Sequence, residues 1–160
     1  MHTPSKGFTL VEMVFTVLVA TILAVVALPS VSSWYERARV DSGIRKIQDS
    51  LKFARNQAFS YGATVGVCPL AATGCGSDWN FGLRVYLVKT SNDEVTLKVI
   101  DGFNSRDLIS GTSIEFSPDG LANSAATFIY CPGGKSTGSQ SITLSSSGII
   151  QRGDENQSCG

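Results

Sequence analysis

One carboxylate, Glu12, stands within the most apolar stretch of the chain. The run Phe8–Val31 is almost continuously hydrophobic, and no charged residue occurs between Glu12 and Glu36. An ionisable side chain in an apolar helix is costly, and such residues characteristically have a function and a definable partner. One partner becomes available if the chain is cut before Phe8. The new α-amino group then lies four residues from Glu12, at a helix start where the dipole favours a carboxylate. The chemistry on offer there is charge pairing. The four cysteines, Cys68, Cys75, Cys131 and Cys159, offer another. An even count in an exported domain suggests two disulfides, and four cysteines allow three connectivities. Sequence proximity favours Cys68–Cys75 and Cys131–Cys159. The second closes a loop of about 28 residues, worth ~3–4 kcal/mol in the chain-entropy model.

Other chemistry finds little support. The one histidine is His2, and the cysteine spacings do not match zinc-binding pairs, so no metal site is expected. Asp93, Glu94, Asp101, Asp107 and Asp119 are scattered over expected turns with no paired-acid or metal-ligand motif, and a solvated position is expected for each. The serine-rich stretches lack a base. The expectation is no catalytic residue, no cofactor and no enzyme. Thirteen Lys and Arg balance thirteen Asp and Glu, which argues against nonspecific nucleic-acid binding. The tripeptide Arg152-Gly153-Asp154 and the acceptor Asn156-Gln157-Ser158 are discounted as chance matches.

These residues need elements to position them. The chain has 160 residues, 42% hydrophobic and 16% charged, which suits one globular domain with an appendage. Phe8–Val31 is long enough to cross a bilayer, for which about 20 helical residues suffice. It is longer than the apolar core of a secretory signal, and it carries Glu12 at its start. Val40, Ile44, Ile47, Leu51, Ala54 and Ala58 follow at intervals of four, three, four, three and four, which places them on one helix face. Gly62 reads as the helix stop, and Gly43 as a weak point costing up to about 1 kcal/mol relative to Ala. A helix from Phe8 to about Tyr61 would be roughly 80 Å long, with Pro29 placed to bend or interrupt it. After Gly62 the period becomes two. Strands are predicted at Thr64–Cys68, Leu83–Val88, Val95–Ile100, Ser113–Phe116, Thr127–Cys131, Ile142–Leu144 and Ile149–Gln151, with turns at Asn92-Asp93 and Asp119-Gly120. Leu83, Val85 and Leu87 alternate with Arg84, Tyr86 and Val88, as in a strand with one buried face. The predicted architecture is α+β: a long N-terminal helix, partly transmembrane, packed on an antiparallel β-sheet domain.

Gly7-Phe8-Thr9-Leu10-Val11-Glu12, after a short leader containing Lys6, resembles the processing signature of type IV prepilins and type II secretion pseudopilins. The resemblance implies a leader at 1–7, cleavage between Gly7 and Phe8 by prepilin peptidase, and N-methylation of Phe8. It places Glu12 where the family has an acid that neutralises the terminal amine of a neighbouring subunit, and Pro29 where many pilins carry a kinking proline. It implies a helix over 8–62, with a membrane or filament-core part (8–31) and an amphipathic part (32–62). A globular β domain over 63–160 follows, its C-terminal segment closed by a disulfide.

Leu51-Lys52-Phe53-Ala54-Arg55-Asn56-Gln57-Ala58 resembles the helix end of the GspH/FimT/FimU minor pilin group. So do Val67-Cys68-Pro69 with Cys75, Trp79, Gly82 and Tyr86, and Phe116-Ser117-Pro118-Asp119-Gly120 followed by Thr127-Phe128 and Cys131. Trp79 is expected in core or loop packing. Some members bind DNA through basic residues after the helix and near the C-terminus. Here Ser60-Tyr61-Gly62-Ala63 has no charge and Arg152 is flanked by Asp154 and Glu155, leaving Lys135 and Arg152 as candidate DNA contacts. The favoured function is a minor pilin of a type IV pilus that contributes to initiation or tip assembly. The alternatives are a DNA-binding pilin for natural transformation and a type II secretion pseudopilin of the GspH kind. The implied partners are other minor pilins and the major pilin, prepilin peptidase, the inner-membrane assembly machinery and membrane lipid; DNA is not favoured. The implied location is the inner membrane, single-pass with a periplasmic C-terminal domain, and then the pilus fibre.

Overall fold

The computed structural model describes the backbone of residues 7–90 and 93–159, and the side chains of these except 26–32 and 90. Helical backbone runs through Pro29 without the interruption expected there, and the turn position Asn92 lies outside the described residues. A helix, α1 (Leu10–Tyr61), comes first. Eight strands follow: β1 (Val65–Pro69), β2 (Gly82–Thr90), β3 (Asp93–Asp101), β4 (Leu108–Ser110), β5 (Ile114–Phe116), β6 (Ala126–Cys131), β7 (Gln140–Leu144) and β8 (Ile150–Arg152). They form two four-stranded antiparallel sheets, ordered β3-β2-β1-β5 and β4-β6-β7-β8. The fold is α+β with the second half of the helix packed on the sheets. Each strand predicted from period two is present within two residues of its expected ends. β4 was not legible, being three residues long and defined by its pairing with β6.

The chain divides into two compact units, Met1–Arg37 and Ala38–Gly160. The division runs inside α1, and residue spacing explains it. From Val40 onward the four-three stripe has a partner: Val40, Ile44, Ile47, Leu51, Ala54 and Ala58 are each at most 1% exposed. They join Val65, Val67, Leu83, Val85, Ile114 and Phe116 of the first sheet and Phe128, Tyr130, Ile142 and Leu144 of the second in one core. The helix stops at Gly62 in the left-handed conformation (φ +59°). There the Ala63 N–H donates to the Ala58 carbonyl at 3.3 Å and the Gly62 N–H to the Phe59 carbonyl at 3.4 Å, which satisfies two of the last turn's carbonyls.

Gly43, expected as a weak point, is a contact point. A Cβ there would overlap the Tyr130 ring, so the missing side chain lets the second sheet approach the helix. Trp79 packs edge-on against Phe128 at 5.2 Å and 87°, and its indole N–H donates to the Gly111 carbonyl at 3.0 Å. The outer side of β2 departs from simple alternation, because Arg84 and Tyr86 are also buried. Arg84 donates to Thr96 Oγ1 at 2.8 Å and to Glu94 Oε2 at 2.9 Å, and its guanidinium lies 5.0 Å over the Tyr86 ring. The Tyr86 hydroxyl donates to Glu115 Oε1 at 3.1 Å. Burial, then the Glu115 carboxylate, push the Tyr86 hydroxyl up to about 12. These side chains cover one another, so the outer face is closed by polar contacts across β3, β2 and β5.

Candidate functional site

The start of α1 is built from Thr9 to Met13. Thr9 is the N-cap: its Oγ1 accepts from the Glu12 N–H at 3.3 Å, and its carbonyl accepts from Glu12 at 3.1 Å and Met13 at 3.2 Å. Glu12 is therefore the third helical residue, inside the first turn, where unpaired N–H groups and the dipole stabilise negative charge. Gly7 and Phe8 precede the helix and are exposed, Phe8 at 76%. Both residues thus lie outside regular structure.

The segment that follows is exposed all round. Leu10, Val11, Met13, Val14, Phe15, Val17, Leu18, Ile22, Leu23 and Val25 keep more than half of their surface open. Its two hydroxyls face inward chemically: Thr16 donates to the Met13 carbonyl at 2.9 Å, and Thr21 to the Val17 carbonyl. Among the described residues 10–25, Glu12 is thus the one side chain whose polar group is not satisfied within the helix. Such a rod suits an apolar medium and carries one charge to pair there. Among the described residues no helix is long and apolar enough to cross a membrane; the described side chains of the run end at Val25.

The cysteines form two bridges, Cys68–Cys75 with S–S 2.03 Å and Cys131–Cys159 with S–S 2.08 Å. The second pins the C-terminal tail beside β7. There Gly153 and Asn156 donate to the carbonyls of Ser141 and Ser139, while the hydroxyls of Ser141 and Ser139 donate to Asp154 and Gln157.

Sequence reasoning missed one acid. Asp107, expected as a solvated turn residue, is 2% exposed. Arg39 of α1 holds it with two bonds, Nε at 2.8 Å and Nη2 at 2.9 Å. The Tyr130 hydroxyl donates at 2.8 Å and the Gly133 N–H at 2.9 Å. Burial alone would push the Asp107 carboxyl up, but these donors outweigh it and hold it below the ordinary carboxylate range. Burial, then the Asp107 carboxylate, push the Tyr130 hydroxyl up. The acid ties helix to sheet, and nothing in its local sequence reveals that, because Arg39 lies 68 positions away.

Of the two candidate DNA contacts, Arg152 is engaged by other side chains of the domain. Arg152 donates to Asp41 Oδ1 at 2.5 Å and to Gln140 Oε1 at 3.3 Å, while Arg45 donates to Asp41 Oδ2 at 2.7 Å. The bond from Arg152 is the foremost cause holding Asp41 below its usual value. Lys135 is exposed beyond the short turn Pro132–Gly134. Arg55, part of the segment that resembles the family's helix end, has a structural task. Its Nε donates to the Gly120 carbonyl at 3.0 Å and its guanidinium lies 5.6 Å over the Phe59 ring. It joins the helix end to the Ser117–Leu121 turn.

Residues 43–148 match the family described as type II transport protein GspH, and residues 3–28 match the prokaryotic N-terminal methylation motif. The fold is similar to the type IV minor pilin FimU of Pseudomonas aeruginosa, with 25% identity and a TM-score of 0.67 over 79% of this chain and 99% of that one. It is also similar to the minor pseudopilin EpsH of the Vibrio cholerae type II secretion system, with 9% identity and a TM-score of 0.59 over 76% of this chain and 98% of that one. That second likeness concerns the fold alone. No curated protein matches the sequence significantly.

Proposed function

The chain belongs to the GspH family and is a minor pilin or pseudopilin of a type IV pilus or type II secretion apparatus; we propose that it is a type IV minor pilin that contributes to pilus initiation or tip assembly. The observation that carries this reading is the apolar helix start, exposed on every side and bearing one carboxylate in its first turn. Cleavage before Phe8 by prepilin peptidase frees an amine, and methylation follows at that nitrogen. The helix waits in the inner membrane and then moves sideways into a bundle of similar helices. Neighbouring helices replace lipid around the apolar side chains, so the transfer exposes none of them to water. Glu12 pairs with the terminal amine of an adjacent subunit and so sets the register. The β domain stands in the periplasm and later on the fibre surface. The role is one of assembly, with no catalysis by this chain.

Mass spectrometry of the native product tests the first step, with N-methylated Phe8 expected at the N-terminus. An intact Met1 start would overturn the reading. Glu12→Ala should lower incorporation into pili while the β domain stays folded, and normal incorporation would contradict the charge-pairing role.

The pseudopilin alternative has the fold likeness to EpsH behind it. Deleting the gene separates the two, since the pilus reading expects lost piliation with secretion intact. The DNA-uptake alternative is weakened by the Arg152–Asp41 pair, which commits the last cation of the C-terminal segment to the helix.

A further inference from the structure

The far end of the helix carries a notch that the assembly reading does not use. Its volume is about 250 Å³, and Lys52, Arg55, Asn56, Gly148 and Ile150 line it. Two of these are cations, one is an amide and none is an acid. The notch stays open because Gly148 has no side chain. A Cβ there would overlap the Gly120 carbonyl oxygen and come within 2.8 Å of Arg55 Nε. Gly148 also sits at φ +77°, which favours glycine. Arg55 is held by its bond to Gly120 and by the Phe59 ring, so its charge is fixed in place at little entropic cost. Beside the notch, against Arg55, is the exposed apolar ring of Phe59 (51%), and Ile149, exposed at 57%, lies between the lining residues Gly148 and Ile150 in sequence. A concave, cationic centre with a preorganised arginine and an apolar surround has the make-up of an interface anchor site.

We propose that this notch receives an acidic side chain from the globular domain of a neighbouring pilin subunit. Charge selects the occupant, because two cations with no acid in the lining favour a carboxylate, and the Phe59 ring beside Arg55 shields the pair on one side. The inference rests on the assembly role proposed above. It adds a contact made by the domain, in addition to those made by the apolar helix.

The test uses the full chain in pilus-forming cells, with a photoreactive residue at Ile149 and, in parallel, at Val14 in the apolar helix. The Ile149 probe should capture a pilin subunit at a peptide containing Asp or Glu. Lys52→Glu should lower the chain's amount in sheared pili about tenfold at unchanged cellular level, whereas Lys52→Arg should retain it. Reversing the captured acid to Lys in the partner should restore the Lys52→Glu chain. Capture of a pilin from Val14 with none from Ile149 would overturn the notch while sparing the assembly role, as would wild-type incorporation of Lys52→Glu. Capture of no pilin from either position would overturn both.

Discussion

The two halves of α1 use the same residue types to opposite ends. Between Leu10 and Val25 nearly every large apolar side chain is more than half exposed, whereas from Val40 to Ala58 the apolar stripe is at most 1% exposed. The difference lies in spacing. A continuous apolar run leaves no polar side to face water, so its cover must come from outside the chain. A four-three stripe leaves polar residues on the opposite side, so the chain's own sheets can cover it. One half of the helix therefore stabilises the fold, and the other half is kept for assembly.

Truncation on the two sides of that divide should separate them most widely. Leu51→Ala removes a buried side chain from the core and should cost about 2–5 kcal/mol of domain stability. Leu18→Ala, in the exposed half, should change domain unfolding by less than about 0.5 kcal/mol. Chemical denaturation of both variants measures this, and a comparable loss in each would break the distinction. Asp107→Ala probes the clamp that ends the buried half. It leaves Arg39 and the Tyr130 hydroxyl without their acceptor and should cost about 3 kcal/mol. The same denaturation midpoint reads it.

Gly43→Ala sharpens the comparison through a change of sign. On an exposed helix it would stabilise by up to about 1 kcal/mol. Against the Tyr130 ring it should instead destabilise by about 1–3 kcal/mol. The smallest effect is that of pH. The Asp107 carboxyl is held below its unfolded value, so its contribution is present above that value, near pH 4, and is lost as pH falls through the folded value. Domain stability should therefore decline below about pH 4, more in the native chain than in Asp107→Asn. Thermal melts across acid pH would show it.

Much of this was legible because it depends on neighbours in sequence. The buried stripe from Val40 to Ala58 follows from residue spacing and the stop at Gly62 from left-handed geometry, whereas the helix expected from Phe8 starts at Leu10, after the Thr9 cap. β2 was read correctly on its inner side and incompletely on its outer side. Arg84 and Tyr86 look like solvent-facing residues until Glu94, Thr96 and Glu115 arrive from other strands. Asp107 was read as a turn acid because its partners Arg39 and Tyr130 are remote. Gly43 was read as a defect because the ring that needs the space lies on β6.

The sequence by itself determined which part of the helix would be covered from within and which would not, because helical periodicity is a local property that side-chain chemistry writes directly. It also carried the processing motif and Glu12. The tertiary structure alone decided the Asp107 clamp, the engagement of Arg152 by Asp41, and the cationic notch beside Gly148. Each of these depends on groups far apart along the chain, and only folding sets the distance between them.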